Sequence, residues 1–164
     1  MSKKKAMFFK QAVSGEIDIY PTGNPASFGS SEGNDITAIT GDFFKTTVAV
    51  NSVDFEDGIY SLEFESISIQ TNKFLTIQVN VENGKTYEVS LFGKRSGTND
   101  ARLLFRPPFS GAGYVYITET ANFALYTVTL TATATGVADI RFFPSIDGQL
   151  NEKMWIDGFK IIEQ

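Results

Sequence analysis

Period-two alternation of apolar and polar side chains constrains this chain more than any other feature. Tyr60, Leu62 and Phe64 point one way while Ser61, Glu63 and Glu65 point the other, as a half-buried strand requires. Leu75, Ile77, Val79 and Val81 alternate with Thr76, Gln78 and Asn80, and Tyr87, Val89 and Leu91 alternate with Glu88, Ser90 and Phe92. Glu82-Asn83-Gly84-Lys85 between them supplies an Asn-Gly turn that accepts positive φ, which predicts a hairpin over 74–94. Thr127, Thr129, Thr131 and Thr133 oppose Tyr126, Val128, Leu130 and Ala132, and such β-branched residues suit a pleated surface. Further strands are expected at 46–50, 101–106, 114–118, 124–133, 137–143 and 154–162, and no segment has helical spacing. About nine or ten short strands, punctuated by Gly, Pro, Asn and Asp, predict an all-β antiparallel sandwich or barrel.

The 164 residues suit a single domain. Residues 28–164 are expected to form it, with 1–27 as an extended N-terminal arm. In that arm Met7-Phe8-Phe9 and Ile17-Asp18-Ile19-Tyr20 can each pair on an edge, before Pro21, Gly23, Asn24 and Pro25 break the chain. Lys3, Lys4 and Lys5 look like the head of a signal peptide, but the apolar stretch behind them ends at Lys10, short of the roughly 7–15 residues an export signal needs. No cleaved signal is expected. No run approaches about 18 apolar residues, so no spanning helix is expected either.

The absence of cysteine and histidine removes thiolate zinc sites, imidazole bases and Ser-His-Asp triads. A net charge of −5 argues against a phosphate-backbone partner, which clustered Lys and Arg would have to hold. Glu63 with Glu65, or Glu56 with Asp57, has the chemistry of a glycosidase pair. The strand period puts the first two on a solvent face, and the second two precede a glycine turn, so no catalysis is expected of them.

The run Thr46-Thr47-Val48-Ala49-Val50-Asn51-Ser52-Val53-Asp54-Phe55-Glu56-Asp57-Gly58-Ile59-Tyr60-Ser61-Leu62 resembles the second and third strands of the jelly-roll carbohydrate-binding modules attached to xylanases and glucanases. Val81-Glu82-Asn83-Gly84-Lys85-Thr86-Tyr87 resembles the approach to their central strand, Leu125-Tyr126-Thr127-Val128-Thr129 a late strand, and Met154-Trp155-Ile156-Asp157 the closing one. The resemblance spans 28–162 and implies an antiparallel jelly-roll β-sandwich. Such modules often carry a structural calcium. The resemblance implies Asp157 as one ligand and Glu32 as a second, although Gly29 stands where Glu is expected and Gly158 replaces a common second Asp. The alternative is that Asp157 caps a loop.

Sugar sites stack pyranose faces on exposed rings and bond hydroxyls with flanking polar groups. The resemblance puts a stretch containing Arg102, Phe105, Arg106, Phe109, Tyr114 and Tyr116 on the concave sheet, and these are the candidate carbohydrate-binding residues. Trp155, in an apolar closing strand, is expected in the core. The basic residues Lys94, Arg95, Arg102 and Arg106 are expected in salt bridges or a protein contact.

Folds of this kind also serve tailed bacteriophages as capsid-decoration, fibre or tail components, made in the host cytoplasm and often carrying a short arm. The resemblance, the missing export signal and the basic arm together imply a non-catalytic virion protein. Its partners would be other virion proteins or copies of itself, contacted through Met7, Phe8 and Phe9, and it would retain affinity for host or environmental glycans. The alternative is an extracellular, soluble carbohydrate-binding module of a glycan-degrading system. Neither nucleic acid nor membrane is an expected partner.

Overall fold

The structure is a computed structural model that describes residues 17–18, 39–56, 61–71, 73–97, 101–110, 113–146 and 149–164. In chain order its strands are β1 (Ile17–Asp18), β2 (Thr40–Gly41), β3 (Thr46–Asn51), β4 (Ser61–Ser66), β5 (Leu75–Val81), β6 (Thr86–Arg95), β7 (Ala101–Phe105), β8 (Phe109–Ser110), β9 (Tyr114–Ile117), β10 (Ala124–Ala132), β11 (Gly136–Phe143) and β12 (Lys153–Glu163). All pairings are antiparallel, and no helix occurs among the described residues. The larger sheet runs β3-β4-β12-β6-β10-β8, with β1 on the far half of β12; the smaller runs β2-β5-β11-β7-β9. Two facing antiparallel sheets make the expected all-β sandwich.

The alternation read in the sequence sets which side of each sheet is dry. The larger sheet contributes Leu62, Phe64, Tyr87, Val89, Leu91, Met154 and Ile156 to the core, and the smaller contributes Leu75, Ile77, Val79, Leu103, Phe105, Ile140 and Phe142. Each such side chain stabilises the fold by about 1.5–3 kcal/mol relative to exposure. Across the interface the rings of Phe64 and Phe142 stack at 5.0 Å with 8° between their planes. Phe159 meets Phe142 edge-on at 5.7 Å, which closes the aromatic centre of the sandwich.

One expected pairing does not form. The segments at 75–81 and 86–95 are strands, but they lie in different sheets: β5 pairs with β11 and β2, β6 with β12 and β10. The Asn83-Gly84 turn therefore arches between layers instead of closing a hairpin. Gly84 does adopt the positive φ foreseen for it, at +80°. Its N–H donates to the carbonyl of Ala132 at the end of β10, and the Tyr87 hydroxyl accepts from Glu82 N–H, so the arch is pinned to the β6–β10 side of the larger sheet.

Strand β12 forms the spine of the larger sheet. Its register shifts between Asp157 and Lys160, where Gly158 takes φ +55°. The bulge changes the parity of the strand, so Met154 and Ile156 before it and Phe159 and Ile161 after it all face the core. Trp155 consequently points outward and is not a core residue, contrary to the expectation above.

At one end of the sandwich a buried lysine joins two loops. Lys73 Nζ donates to Ser66 Oγ, to the Ser68 carbonyl and, at 2.9 Å, to the Gln149 carbonyl, while Ser66 Oγ also donates to Gln149. Burial pushes the Lys73 ammonium below the ordinary lysine range, partly offset by the charge of Glu152.

Candidate functional site

The outer face of the smaller sheet gathers side chains from four strands. On β7 the inward residues are Ala101, Leu103 and Phe105, so Arg102 and Leu104 face out, with Arg106 following them. On β9 Tyr114 and Tyr116 face out, each 43% exposed. Pairing sets them in rows: Phe143 opposite Arg102 opposite Tyr116, and beside it Thr76 opposite Arg141 opposite Leu104 opposite Tyr114. Gln78 opposite Asp139 continues the surface.

Rings and guanidinium groups interleave across these rows. Tyr114 and Tyr116 lie 5.9 Å apart with 41° between their planes. The Arg102 guanidinium sits over Tyr114 at 4.1 Å and over Phe143 at 4.9 Å, and that of Arg141 over Phe74 at 4.5 Å. Phe74 packs against Phe143 at 5.0 Å. Arg141 Nη2 donates to Asp139 at 3.3 Å, and the other Asp139 oxygen accepts from Gln78 Nε2 at 3.1 Å. The result is an amphipathic strip of two exposed tyrosines, rigid cations and an amide, which can stack a sugar ring and bond its polar groups.

Of the six candidate carbohydrate-binding residues, Arg102, Tyr114 and Tyr116 lie together on this face. Arg106 is exposed at its end, its N–H donating to the Asp139 carbonyl. Phe105 and Phe109 do not belong to it: they are 0% and 3% exposed, meet each other edge-on at 6.4 Å, and fill the core. The strand parity that sends Arg102 outward sends Phe105 inward. Phe74, Gln78, Asp139, Arg141 and Phe143 complete the face and carry no local signal of it, because they arrive just before β5, on β5 and on β11 by long-range pairing. The basic residues do not form one group either. Lys94 lies on the opposite sheet, bonded to Asp54 at 2.5 Å, and Arg95 donates to the Gly97 carbonyl.

That opposite face carries a second polar cluster. Glu63 accepts from Lys153 at 2.5 Å on one oxygen, and from Asn51 at 2.7 Å and Trp155 Nε1 at 2.8 Å on the other. Lys94 lies 4.9 Å above the Trp155 ring and 5.1 Å above that of Phe123. Burial raises the Glu63 carboxyl, but the hydrogen bonds from Lys153, Asn51 and Trp155 outweigh it and hold the group below its ordinary value. A depression of about 300 Å³ beside it is lined by Ala49, Asn51, Val53 and Glu63. With both its oxygens engaged, Glu63 here acts as a clamp between β3, β4 and β12. Glu65 stands 3.6 Å from Lys153, so Glu63 and Glu65 lie on the outer face as expected.

Asp157 is fully buried, and its carboxylate oxygens accept from Glu56 N–H and Gly158 N–H, each at 2.7 Å. These bonds suit the loop-capping alternative. Calcium requires about six to eight oxygen ligands, and among the described residues no group of three or more acidic side chains could hold a metal ion. Glu32, like Met7, Phe8 and Phe9, lies outside the described residues.

No protein-family model matches the chain, and no curated protein matches it. Solved structures do match in fold. A family 16 carbohydrate-binding module superposes with a TM-score of 0.59 at 16% identity over 82% of this chain and 96% of its own. The CBM22-1 xylan-binding domain of Paenibacillus barcinonensis Xyn10C does so at 0.58 and 17% identity, over 82% of this chain and 91% of its own. The enzymatically active domain of tailspike protein 4 from bacteriophage CBA120 matches at 0.62 and 15% identity over 83% of this chain, which spans only 21% of that one. The fold is thus the jelly-roll of carbohydrate-binding modules.

Proposed function

We propose that this domain binds a glycan, without catalysis, on the outer face of the smaller sheet. The observation that carries the reading is the paired Tyr114 and Tyr116 platform flanked by stacked arginines on a carbohydrate-binding-module fold. The sole carboxylate at the outward positions of the described strands there, Asp139, is bonded to Gln78 and Arg141, an arrangement for positioning rather than acid–base chemistry. The test is affinity electrophoresis and tyrosine-emission quenching against xylans, glucans, galactans and acidic polysaccharides, comparing the wild-type chain with a Tyr114→Ala/Tyr116→Ala variant. Loss of two stacking rings should weaken binding about tenfold or more, while unfolding shifts little because both rings are exposed. Failure to bind any glycan, or undiminished binding by the double variant, would refute the reading.

A second reading places this glycan-binding domain in a bacteriophage virion, assembled in the host cytoplasm through contacts with other virion proteins or further copies. The similarity to part of a tailspike chain supports it. In this reading Met7, Phe8 and Phe9 anchor the assembly. Light scattering of the full chain should give a closed oligomer that reverts to monomer when residues 1–13 are deleted. A full chain that is monomeric at all concentrations favours instead a free extracellular module.

A further inference from the structure

We propose that the same face selects an acidic glycan, with Arg102 and Arg141 receiving the carboxylate of a hexuronate residue that lies against Tyr114 and Tyr116. This rests on the glycan-binding reading above and narrows it to a substrate class.

The first ground is charge. The chain carries a net −5, yet the outward positions of β5, β7, β9 and β11 set Arg102 and Arg141 against the single carboxylate of Asp139, with Arg106 following β7 and Glu82 following β5. A local excess of cations on an acidic protein creates a field that favours acidic ligands there over the rest of the surface.

The second is the state of Arg102. Among the described residues it has neither a salt-bridge nor a hydrogen-bond partner, and its buried Nε is unsatisfied. The Tyr114 and Phe143 rings at 4.1 and 4.9 Å flank the guanidinium and restrict the volume it can sweep. A planar fork of this kind matches a carboxylate in bidentate geometry, which is stronger and more directional than its bond to a neutral hydroxyl. Arg141 lies diagonal to Arg102 across the β7–β11 pair, since it opposes Leu104 and Arg102 opposes Phe143. Such diagonal positions are about 7–8 Å apart, within reach of one sugar unit for two long side chains. Arg141 too keeps an unsatisfied buried Nε; its one ion pair among the described residues is the 3.3 Å contact to Asp139, beside the Phe74 ring at 4.5 Å.

Calorimetry of the full chain at physiological salt tests this with galacturonate, glucuronate and mannuronate oligomers, each paired with its neutral methyl ester. At least one acid should bind about tenfold tighter than its ester. Arg102→Gln should erase that difference by weakening the acid far more than the ester, and Arg141→Gln should reduce it. Lys160→Gln, on the opposite sheet, should leave it intact. Equal binding of acids and esters would overturn the acidic assignment but leave the glycan reading standing, whereas no binding of any saccharide would overturn both. A preference that survives Arg102→Gln, or that Lys160→Gln abolishes equally, would also overturn the assignment by locating the selectivity elsewhere.

Discussion

Replacing Glu63 with alanine removes the acceptor that joins three neighbouring strands on the larger sheet, and its cost can be worked from the contacts. Asn51 and Trp155 each lose a hydrogen bond at 2.7 and 2.8 Å, worth about 1 kcal/mol apiece. The Lys153 bond is charged, but that side chain is 32% exposed and keeps Glu65 at 3.6 Å, so solvent and the second carboxylate hold the loss to about 0–1 kcal/mol. The sum is about 2–3 kcal/mol. For a chain of this size each kcal/mol moves the unfolding midpoint by about 2–4 °C, giving a fall of about 5–10 °C. Trp155 is the one tryptophan and donates to the deleted carboxylate, so its emission should shift in the folded variant while far-ultraviolet dichroism is unchanged. Glu63→Gln retains an acceptor for one neutral donor and should lose about half as much. The folded-state carboxyl titrates below its ordinary value of 4.5, so its stabilisation is complete above that pH and is lost as the pH falls through the depressed value. An alanine variant whose midpoint stays within about 1 °C of wild type would refute the clamp.

Gly84→Ala should cost about 1–2 kcal/mol in chemical denaturation purely from its +80° φ, since no atom lies within 4 Å of the added Cβ. Gly136→Ala, equally unobstructed and without positive φ, should be neutral or stabilising by up to about 1 kcal/mol, and equal effects at the two sites would argue against the positive φ of Gly84. Lys73 has a folded-state pKa below 10.5, so its contribution to stability rises with pH through the interval between the folded and unfolded values. The difference in stability between wild type and Lys73→Met, followed by denaturant titration from about pH 8 to about pH 10, should therefore move in favour of wild type, and a flat difference would show the ammonium to be solvated.

The strands were legible because alternation is a local property, and the sites less so because they depend on pairing. Each long strand fell within a few residues of its expected span, and the outward Thr127, Thr129 and Thr131 were read from parity alone. Parity does not say which strand a strand pairs with, so the Asn83-Gly84 turn looked like a hairpin although β5 and β6 belong to opposite layers. Parity gives no guide to Trp155, since the segment around it is apolar on both sides and the bulge after Asp157 leaves no continuous alternation to follow. Of the candidate face, Arg102, Tyr114 and Tyr116 are legible as outward residues on adjacent strands. Arg141, Phe143 and Phe74 reach it only through the β5–β11–β7 order, which nothing in the local sequence encodes. Phe105 and Phe109 have the aromatic character of a platform, but the inward set Ala101, Leu103 and Phe105 marks Phe105 as core.

The short strand β1 has a topological consequence. Ile17 pairs directly with Glu163, so the backbone enters and leaves the larger sheet at neighbouring points, on the layer opposite the tyrosine platform. A host polypeptide can accept this unit as an insertion with both junctions side by side, and a circular permutant can bridge them with a brief connector. Either graft leaves the arginine-bearing layer facing away from its carrier.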